Sequence, residues 1–302
     1  MTKQLTMVAD VGGTNTRFAL AECDRVIAGS VARYANNDVA GFVEAAQSYL
    51  SSLDGALPTS LCAAIAGPVS DGKGELTNGD WGFDTQVLSQ VLGMENSYLL
   101  NDLAALGYAV EVLPDDMVTQ FGGTAAQGAQ ALVVGIATGC NVSLSLASRV
   151  AEAELGHASL PSSVIEALRD VIGDKALDFK TVECLFSGNG LTALHLALGF
   201  ETQEPAQITA ADGETVKLIA KALGVFAREL IYQYMPMAGL YFNGSVARGI
   251  LGTPERAKIV ADEVSKADGF MGRFQQVPLF LITDDSAPLY GCAHFAQLQR
   301  TA

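Results

Sequence analysis

The sequence predicts an α/β protein of two related domains, and three observations support this fold class. Strand and helix patterns alternate along the first hundred residues, as they do in α/β folds. A strand, a turn with Gly and Thr, and a second strand occur near residue 10 and again near residue 136, an internal repeat that indicates two similar units. The 302 residues correspond to about two domains of roughly 150 residues each.

Composition and charge exclude several classes of protein. Hydrophobic residues make up 49% of the chain and charged residues 17%, which excludes a disordered chain. Eighteen Lys and Arg stand against 33 Asp and Glu, for a net charge of −15. Such a surface repels nucleic acid and anionic membranes, so neither is expected as a partner. Asp10 interrupts the first apolar run, so we expect no signal peptide and a cytoplasmic location.

The cysteines predict neither a disulfide framework nor a zinc site. All five are far apart in the sequence, and no two are spaced as Cys-x-x-Cys, which argues against both. We expect small buried thiols in a reducing compartment at Cys23, Cys62, Cys140, Cys184 and Cys292.

The first 110 residues predict an antiparallel meander followed by alternating helices and strands. Apolar runs between turn residues predict strands at Leu5–Val11, Thr16–Ala21, Arg25–Tyr34, Ser60–Ala66 and Tyr98–Leu100. Apolar residues at helical spacing predict helices at Val39–Leu53, Thr85–Leu92 and Leu103–Val112. Asn37-Asp38 and Asp84 stand where N-caps are favoured, and Gly93 stands where a helix ends.

The rest of the chain predicts a second α/β domain. The segment 114–130 is polar and rich in Gly and Ala, so we place the domain junction there. Apolar runs predict strands at Ala131–Ile136, Ser143–Leu146, Gly239–Phe242 and Pro278–Ile282. Helical spacing predicts helices at Ser162–Ile172, Leu191–Leu198, Gly213–Met235 and Gly291–Leu298. We expect the last of these helices to return to the first domain.

A carboxylate followed by two glycines ends the first strand. The run Asp10–Arg17 reads DVGGTNTR, and its glycines let successive backbone N–H groups form a nest around an anion. Thr14 and Asn15 add donors, and Asp10 can hold Mg²⁺ directly or through water. An ordinary hairpin turn explains the same residues, so spacing alone leaves both interpretations open. The run matches neither a Walker loop nor a dinucleotide-binding loop.

An adjacent amide and carboxylate, Asn101-Asp102, leave an apolar strand at the start of a helix. An Asp in this place can act as a general base, because partial burial raises its pKa towards neutral pH. The neighbouring Asn can hold a substrate hydroxyl. The alternative is that either residue simply caps the helix.

Glu154-Leu-Gly-His157 places an acceptor and an imidazole between apolar neighbours, a combination suited to a polyhydroxylated ligand. Glu183, before the run CLFSGNG, is a further candidate acceptor, with a solvated charge at a helix end as the alternative. His195 and His294 lie on apolar helical patterns, so we expect structural roles for both.

Taken in order, these segments resemble the bacterial glucokinases of the hexokinase/actin-like ATPase superfamily, from about Thr6 to Ala296. A single match is weak evidence, whereas the ordered set is strong. A cysteine-rich zinc segment is absent, which points to the zinc-free branch. The matching segments are Asp10–Arg17, Ala66-Gly67-Pro68, Leu76–Trp81, Asn101-Asp102, Glu154–His157, Glu183 and Gly239–Gly244.

The resemblance implies two actin-like ATPase (ribonuclease H-like) domains that flank a cleft and close to expel water. The small domain would be 1–110 with the C-terminal helix 287–302, and the large domain would be 111–286. The implied activity is ATP-dependent phosphorylation of glucose with Mg²⁺ as cofactor and Asp102 as general base. A homodimer is one option for assembly.

The resemblance also implies a set of site residues. The sugar contacts would be Asn78, Asn101, Asp102, Glu154, His157 and Glu183. The nucleotide contacts would be Asp10, Gly12, Gly13, Thr14, Asn15, Thr138, Gly139 and Gly244. Asp10 would also hold Mg²⁺, through water.

Three segments depart from the family pattern. The second phosphate segment, Gly-Thr-Gly-Leu-Gly in the family, reads ATGCN at Ala137–Asn141, Leu155 stands in place of a glycine, and Ser245 follows Gly244 where the family has a second glycine. These changes bear on the nucleotide more than on the sugar. They leave two alternatives: a non-catalytic sugar-binding or regulatory protein on the kinase fold, or a kinase for another hexose or with another phosphate donor.

Overall fold

The structure of the protein, a computed structural model, describes residues 4–301. The chain divides into two units. Unit 1 takes the chain up to Leu113, Ser148–Val150 and the stretch from Asp285 onward, and unit 2 takes Pro114–Ala147 and Ala151–Asp284. The predicted domain bounds stay a prediction: 1–110 with 287–302 for the small domain and 111–286 for the large one. Residues 1–3 and 302 of the small domain lie outside the described residues. No helix within residues 4–301 is long and apolar enough to cross a membrane.

Unit 1 has a mixed sheet built around the strand β1, all seven residues of which are buried. The sheet order is β3-β2-β1-β5-β9 with β4 also paired to β2, and β6-β7-β8 form a small separate sheet. In chain order the elements are β1 Leu5–Val11, β2 Asn15–Glu22, β3 Arg25–Val26, β4 Ala32–Ala35, α1 Phe42–Ser51, β5 Ser60–Ile65, β6 Val69–Ser70, β7 Lys73–Glu75, β8 Gly82–Asp84, α2 Thr85–Leu92, β9 Asn96–Asn101 and α3 Asp102–Ala109.

Unit 2 repeats this plan. Its elements are β10 Val118–Gly122, β11 Gln130–Ile136, β12 Cys140–Leu146, β13 Val150–Glu152, which crosses the boundary between the units along the chain, α4 Ser162–Ile172, α5 Val182–Leu185, α6 Gly188–Ala197, α7 Pro205–Ala210, α8 Glu214–Tyr234, β14 Gly239–Asn243, α9 Ser245–Leu251, α10 Pro254–Val264 and β15 Leu279–Ile282. The helix α11, Ala287–Thr301, then belongs to unit 1.

Strand direction explains where a site can form in each unit. β1 is antiparallel to β2 but parallel to β5, and β5 is parallel to β9. In unit 2, β11 is antiparallel to β12 but parallel to β14, and β14 is parallel to β15. Each sheet therefore gathers the carboxyl ends of three parallel strands at one edge, where α/β proteins bind ligands. This shared plan confirms the predicted internal repeat.

Helices cover both faces of the first sheet. On one face, α1 and α2 pack through buried residues that include Phe42, Tyr49 and Leu88. On the other, α11 contributes Leu289 and Cys292 to a cluster that also holds β1 and β5 residues. Full burial of a side chain such as Leu289 stabilises the fold by about 1.5–3 kcal/mol. The core of unit 2 gathers around the long helix α8, which buries thirteen of its residues.

Several predicted boundaries are confirmed and others are wrong. The strand Leu5–Val11 and the helices Thr85–Leu92 and Ser162–Ile172 have the predicted bounds, and the Gln86 and Val87 N–H groups donate to the capping side chain of Asp84. The predicted strand Arg25–Tyr34 is two short strands, because the chain turns at Gly29, where φ is 79°.

The first helix is shorter than predicted. It begins at Phe42 and ends at Ser51, instead of spanning Val39–Leu53. Its N-cap is Gly41, whose backbone is extended, with φ 173° and ψ 175°. The predicted cap, Asn37-Asp38, lies in a separate 3₁₀ turn that ends before the helix.

The cysteines are all free, but only three of the five are buried as predicted. Cys62, Cys140 and Cys292 are buried, whereas Cys23 and Cys184 are exposed. Cys23 lies in the turn between β2 and β3 with a φ of 58°. The Cys184 thiol accepts a hydrogen bond from the Thr181 hydroxyl at 3.1 Å, which lowers the pKa of that thiol.

The two histidines that the sequence assigns to structural roles contact residues outside their own helices. His195 is buried, its Nδ1 lies 2.7 Å from the Thr215 hydroxyl, and its ring stacks on Phe200. His294 places its Nε2 3.7 Å from the Glu111 carboxylate. Both arrangements agree with the structural interpretation.

We predict that Gly291→Ala destabilises unit 1. A Cβ at Gly291 would lie 1.7 Å from the Ala105 carbonyl oxygen, so α11 and α3 must separate, at a cost of about 1–3 kcal/mol. Urea unfolding followed by the fluorescence of Trp81, the single Trp, measures it. Gly82→Ala, where a Cβ meets nothing within 4 Å, is the control; equal midpoints for the two variants would contradict the packing argument.

Candidate functional site

The hairpin at the start of unit 1 places the guanidinium group of Arg17 beside the carboxylate of Asp10, near the end of β1. The β1–β2 register pairs Asp10 with Arg17, and an Arg17 guanidinium nitrogen lies 3.0 Å from Asp10 Oδ2. A second guanidinium nitrogen lies 3.4 Å from Asp285 Oδ2, two residues before α11. Arg17 therefore links the end of the first strand to the start of the last helix.

Asp10 lies in an unfavourable place for a charge. Its residue surface is 7% exposed, and burial raises the pKa of its carboxyl to about 7, against the opposing attraction of Arg17. The nearby carboxylate of Asp102 raises the pKa further. At neutral pH the Asp10 carboxyl is therefore partly protonated. A metal ion beside it would favour the charged form.

The hairpin tip, Gly12–Asn15, is braced from one side. The Gly12 N–H donates to the Asn15 carbonyl at 3.0 Å, and the Asn36 side chain donates to the Gly12 carbonyl at 2.8 Å. Asn36 also accepts from the Thr16 hydroxyl at 2.9 Å. These residues do form a hairpin turn. Fewer of its backbone N–H groups are available to an anion than the predicted nest requires, since the Gly12 N–H already donates to Asn15. Gly13 and Thr14 face outward.

Asn78 lies next to this tip. A Cβ at Gly13 would stand 3.4 Å from the Asn78 carbonyl oxygen and 3.5 Å from its Cβ. The amide oxygen of Asn15 accepts a hydrogen bond from Arg33 at 3.0 Å. The structure thus brings Asn78 to the predicted phosphate segment.

Asn101 holds the end of β9 and the start of α3 together. Its amide oxygen accepts from the Leu103 and Ala104 N–H groups, at 3.0 and 3.3 Å, and its amide nitrogen donates to the Gly67 carbonyl at 3.1 Å. The capping alternative is therefore correct for Asn101, which keeps one further N–H donor.

Asp102, the first residue of α3, has a carboxylate with one restrained oxygen. The Leu103 N–H donates to Asp102 Oδ1 at 2.8 Å. Burial raises the pKa of this carboxyl, while the backbone N–H groups at the helix start oppose that effect. Asp10 and Asp102 lie at the carboxyl ends of β1 and β9, with β5 between them, so their backbones are two strand spacings apart, roughly 10 Å.

In unit 2 the turn between β11 and β12 lies at the equivalent place. The Ala137 N–H donates to the Gly139 carbonyl at 2.9 Å, and the Gly188 N–H donates to the Ala137 carbonyl at 2.9 Å. Thr138 lies exposed at the tip. Gly244, at the end of β14, has a φ of 103°, and a Cβ there would lie 2.3 Å from the Ile136 carbonyl oxygen. Only glycine fits at that position.

Glu183, in the first turn of α5, contacts this turn directly. The Cys140 N–H donates to Glu183 Oε2 at 3.1 Å. A Cβ at Gly139 would lie 2.4 Å from the same oxygen, so a side chain at residue 139 would displace the carboxylate. Glu183 is half-buried, which contradicts the alternative of a freely solvated helix-end charge.

Glu154 directly precedes a single 3₁₀ turn, Leu155–His157, and His157 is the last residue of that turn. Both side chains are exposed, and Glu154 Oε2 accepts from the Asn141 side chain at 3.1 Å. A short backbone ladder follows, in which the Val182 N–H donates to the Ala158 carbonyl at 3.0 Å. This ladder brings the Glu154 turn and Glu183 to the same side of the β11–β12 turn.

A cavity of about 710 Å³ opens beside Glu183 in unit 2. Thr138, Ser187 and Lys175 also line it. Its volume lies within the range of small-molecule sites, roughly 300–1,000 Å³.

The residues present fit one Mg²⁺ ion that takes a single protein carboxylate and receives its remaining ligands from water and phosphate. Across residues 4–301, no group of three or more His, Cys, Asp or Glu side chains is placed to hold a metal. Mg²⁺ commonly takes one or two carboxylates and completes its shell with water and phosphate oxygens. The buried carboxylate of Asp10 meets that requirement.

Sequence reasoning missed two contacts that shape the site. The pairing of Asp10 with Arg17 follows from the hairpin register, so counting outward from the turn would have found it. The contact of Asn141 with Glu154 joins residues from separate segments, and no spacing rule predicts it.

The fold is the actin-like ATPase fold of sugar kinases. The model of the glucokinase family matches residues 7–299, so the chain belongs to the glucokinase family. It is 28% identical to the glucokinase of Erwinia tasmaniensis over 98% of each chain. A crystal structure of a glucokinase from an Antarctic psychrotroph is similar, with a TM-score of 0.83 and 26% identity over 99% of both chains.

A more distant structure shares the fold. It is a ROK family glucokinase from Streptomyces griseus in complex with glucose and AMPPNP, with a TM-score of 0.60 and 17% identity over 96% of this chain and 98% of that one.

We predict that Asp10→Asn stabilises metal-free unit 1 increasingly as the pH rises. An unfolded Asp ionises near 3.8 whereas the folded one keeps its proton until about pH 7, so the wild type loses stability between those values. The variant should therefore gain about 3 kcal/mol on the wild type between pH 5 and pH 7 and no more above that. Urea unfolding in a chelator at four pH values measures this difference, and a constant difference would contradict it.

Proposed function

We propose that the protein is a glucokinase that transfers the γ-phosphoryl group of ATP to the primary hydroxyl of glucose, giving ADP and glucose 6-phosphate. Family membership supports the reaction class. Glucose and AMPPNP in the S. griseus structure support the choice of sugar and donor. The observation that carries the proposal is the pair of carboxylates, Asp10 and Asp102, at the carboxyl ends of one sheet.

Asp102 is the general base. Its raised pKa makes its carboxylate a stronger base than an exposed Asp, which favours removal of a hydroxyl proton near neutral pH. The Leu103 N–H restrains Oδ1, so Oδ2 takes the proton as the sugar oxygen attacks the phosphorus. Asn101 fixes this geometry through its cap and offers its remaining N–H to a second hydroxyl.

The other sugar hydroxyls bind to side chains of unit 2. Glu154 and Glu183 accept hydrogen bonds from hydroxyl groups, and His157 donates or accepts. Hydrogen bonds to charged acceptors contribute about 1.5–3 kcal/mol each, enough to select a polyol over an apolar ligand. Asn78 adds a neutral donor.

The nucleotide binds through backbone groups and small side chains. Gly13, Thr14 and Asn15 of the first tip, together with Gly12 that shapes it, and Thr138 and Gly139 of the second tip contact phosphates, and Gly244 allows the adenosine to approach. When bound, Mg²⁺ neutralises charge on the phosphate oxygens. Asp10 positions that ion through water, and Arg17 keeps the Asp10 carboxylate in place.

We further propose that the enzyme works in the cytoplasm. Use of ATP supports this location, as do the five free thiols, which persist in reducing compartments.

Asp102→Ala tests the proposal most directly. We expect kcat to fall about 10²–10⁴-fold, the usual contribution of a general base, with glucose binding by calorimetry within about 3-fold, since other groups hold the sugar. A coupled assay for glucose 6-phosphate measures turnover. Asp116→Ala, an exposed Asp, is the control. Full activity in Asp102→Ala would remove the proposed base, and turnover only with another phosphate donor would correct the donor.

Glu183→Gln tests the sugar contacts. The amide oxygen can still accept from the Cys140 N–H, so the turn stays in place while the charged acceptor is lost. We expect the KM for glucose to rise about 10–100-fold, the equivalent of one hydrogen bond to a charged group. Glu166→Gln, on the exposed face of α4, should leave the KM unchanged. An unchanged KM in Glu183→Gln would exclude Glu183 from the sugar site.

A further inference from the structure

Two consecutive residues at the start of β12, Cys140 and Asn141, hold both carboxylates that we propose to bind sugar. The Cys140 N–H donates to Glu183 Oε2 at 3.1 Å, and the Asn141 side-chain amide donates to Glu154 Oε2 at 3.1 Å. The backbone N–H at residue 140 is thus engaged with a protein carboxylate. This segment is divided: Thr138 lies exposed at the tip of the turn, whereas residues 140 and 141 hold the two carboxylates.

The side chain of Asn141 has three partners at once. Its Oδ1 accepts from the Val142 N–H at 2.8 Å and from the Leu155 N–H at 2.9 Å, while its Nδ2 donates to Glu154. One end of the amide fixes the backbone beside Glu154, and the other end fixes the carboxylate itself. A glycine offers neither group, and an aspartate offers only the acceptor.

Leu155 completes the arrangement. Its side chain packs against the core of unit 2, and its N–H is the donor to Asn141 Oδ1. Two of the residues at which the chain departs from the family pattern, Asn141 and Leu155, are therefore hydrogen-bonded to each other. Together they anchor the turn that carries Glu154 and His157.

We infer that Asn141 is a positioning residue that sets the affinity of the sugar site by acting through Glu154; this inference rests on the proposed function. Glu154 is exposed, and an exposed Glu without a partner samples many rotamers that sugar binding would have to restrict. The neutral amide orients the carboxylate in advance and keeps its charge. Such pre-organisation raises affinity by removing an ordering cost.

Asn141→Asp is the sharpest test. The substitution keeps the size of the side chain and an oxygen for the Val142 and Leu155 N–H groups, but it replaces the donor to Glu154 by a like charge. We expect the KM and the calorimetric Kd for glucose to rise about tenfold or more, whereas kcat and the KM for MgATP stay within about 2-fold. Asn141→Gly, which also loses the backbone contacts, should weaken glucose binding as well.

A double-mutant cycle with Glu154→Gln shows whether Asn141 acts through Glu154. In the Glu154→Gln background we expect Asn141→Asp to change glucose affinity by less than about 2-fold, because the like-charge contact is gone. Asn96→Asp, at the exposed start of β9, is the control for an added charge. Thermal unfolding of each variant shows that it is folded.

The outcomes separate this inference from the proposed function. Unchanged glucose affinity in Asn141→Asp, additive effects in the cycle, or an equal rise in the KM for MgATP would overturn the role of Asn141. Calorimetry decides the question even if the wild type binds glucose without turnover, which would overturn only the kinase activity. A wild type that does not bind glucose would overturn both.

Discussion

The buried carboxylate of Asp10 is the constraint on which unit 1 depends. A charge in this place costs free energy unless a partner compensates it, and the hairpin register supplies that partner by placing Arg17 opposite Asp10. Arg17 also reaches Asp285, so the segment that leads into α11 is fixed beside the same pair. The strand pairing and the segment before α11 thus meet at one buried carboxylate.

The carboxylates of the candidate site have different surroundings in the two units. In unit 1 the carboxylates of Asp10 and Asp102 are surrounded by protein atoms, which raises the pKa of both and suits proton and metal chemistry. In unit 2, Glu154 and Glu183 lie nearer the surface and are held by neutral donors, the Asn141 amide and the Cys140 N–H. Neutral donors orient a carboxylate without cancelling its charge, which suits recognition of hydroxyl groups.

Apolar runs and capping residues predict the strands and helices whose bounds depend on neighbouring residues in the sequence. The fully buried strand at Leu5–Val11 and the helix between Asp84 and Gly93 have the bounds that apolar runs and caps indicate. The sequence patterns do not predict helices α9 and α10. Helix α9 directly follows the strand β14 and α10 follows α9, and both helices depend on packing against other elements. In the site, the ordered motifs locate the candidate residues, and the structure adds contacts between distant segments, such as Asn141 with Glu154. Those contacts depend on the tertiary fold, which spacing does not encode.

The return of α11 to unit 1 has a consequence for how the chain is made. One face of the first sheet is covered by Leu289, Cys292 and Ala293, which leave the ribosome after the whole of unit 2. Unit 2 lies entirely upstream of Asp285, so it can complete its core while unit 1 still exposes an apolar face. Synthesis from the N-terminus therefore leaves the first unit to finish last, a period in which its uncovered sheet is open to chaperones or to aggregation.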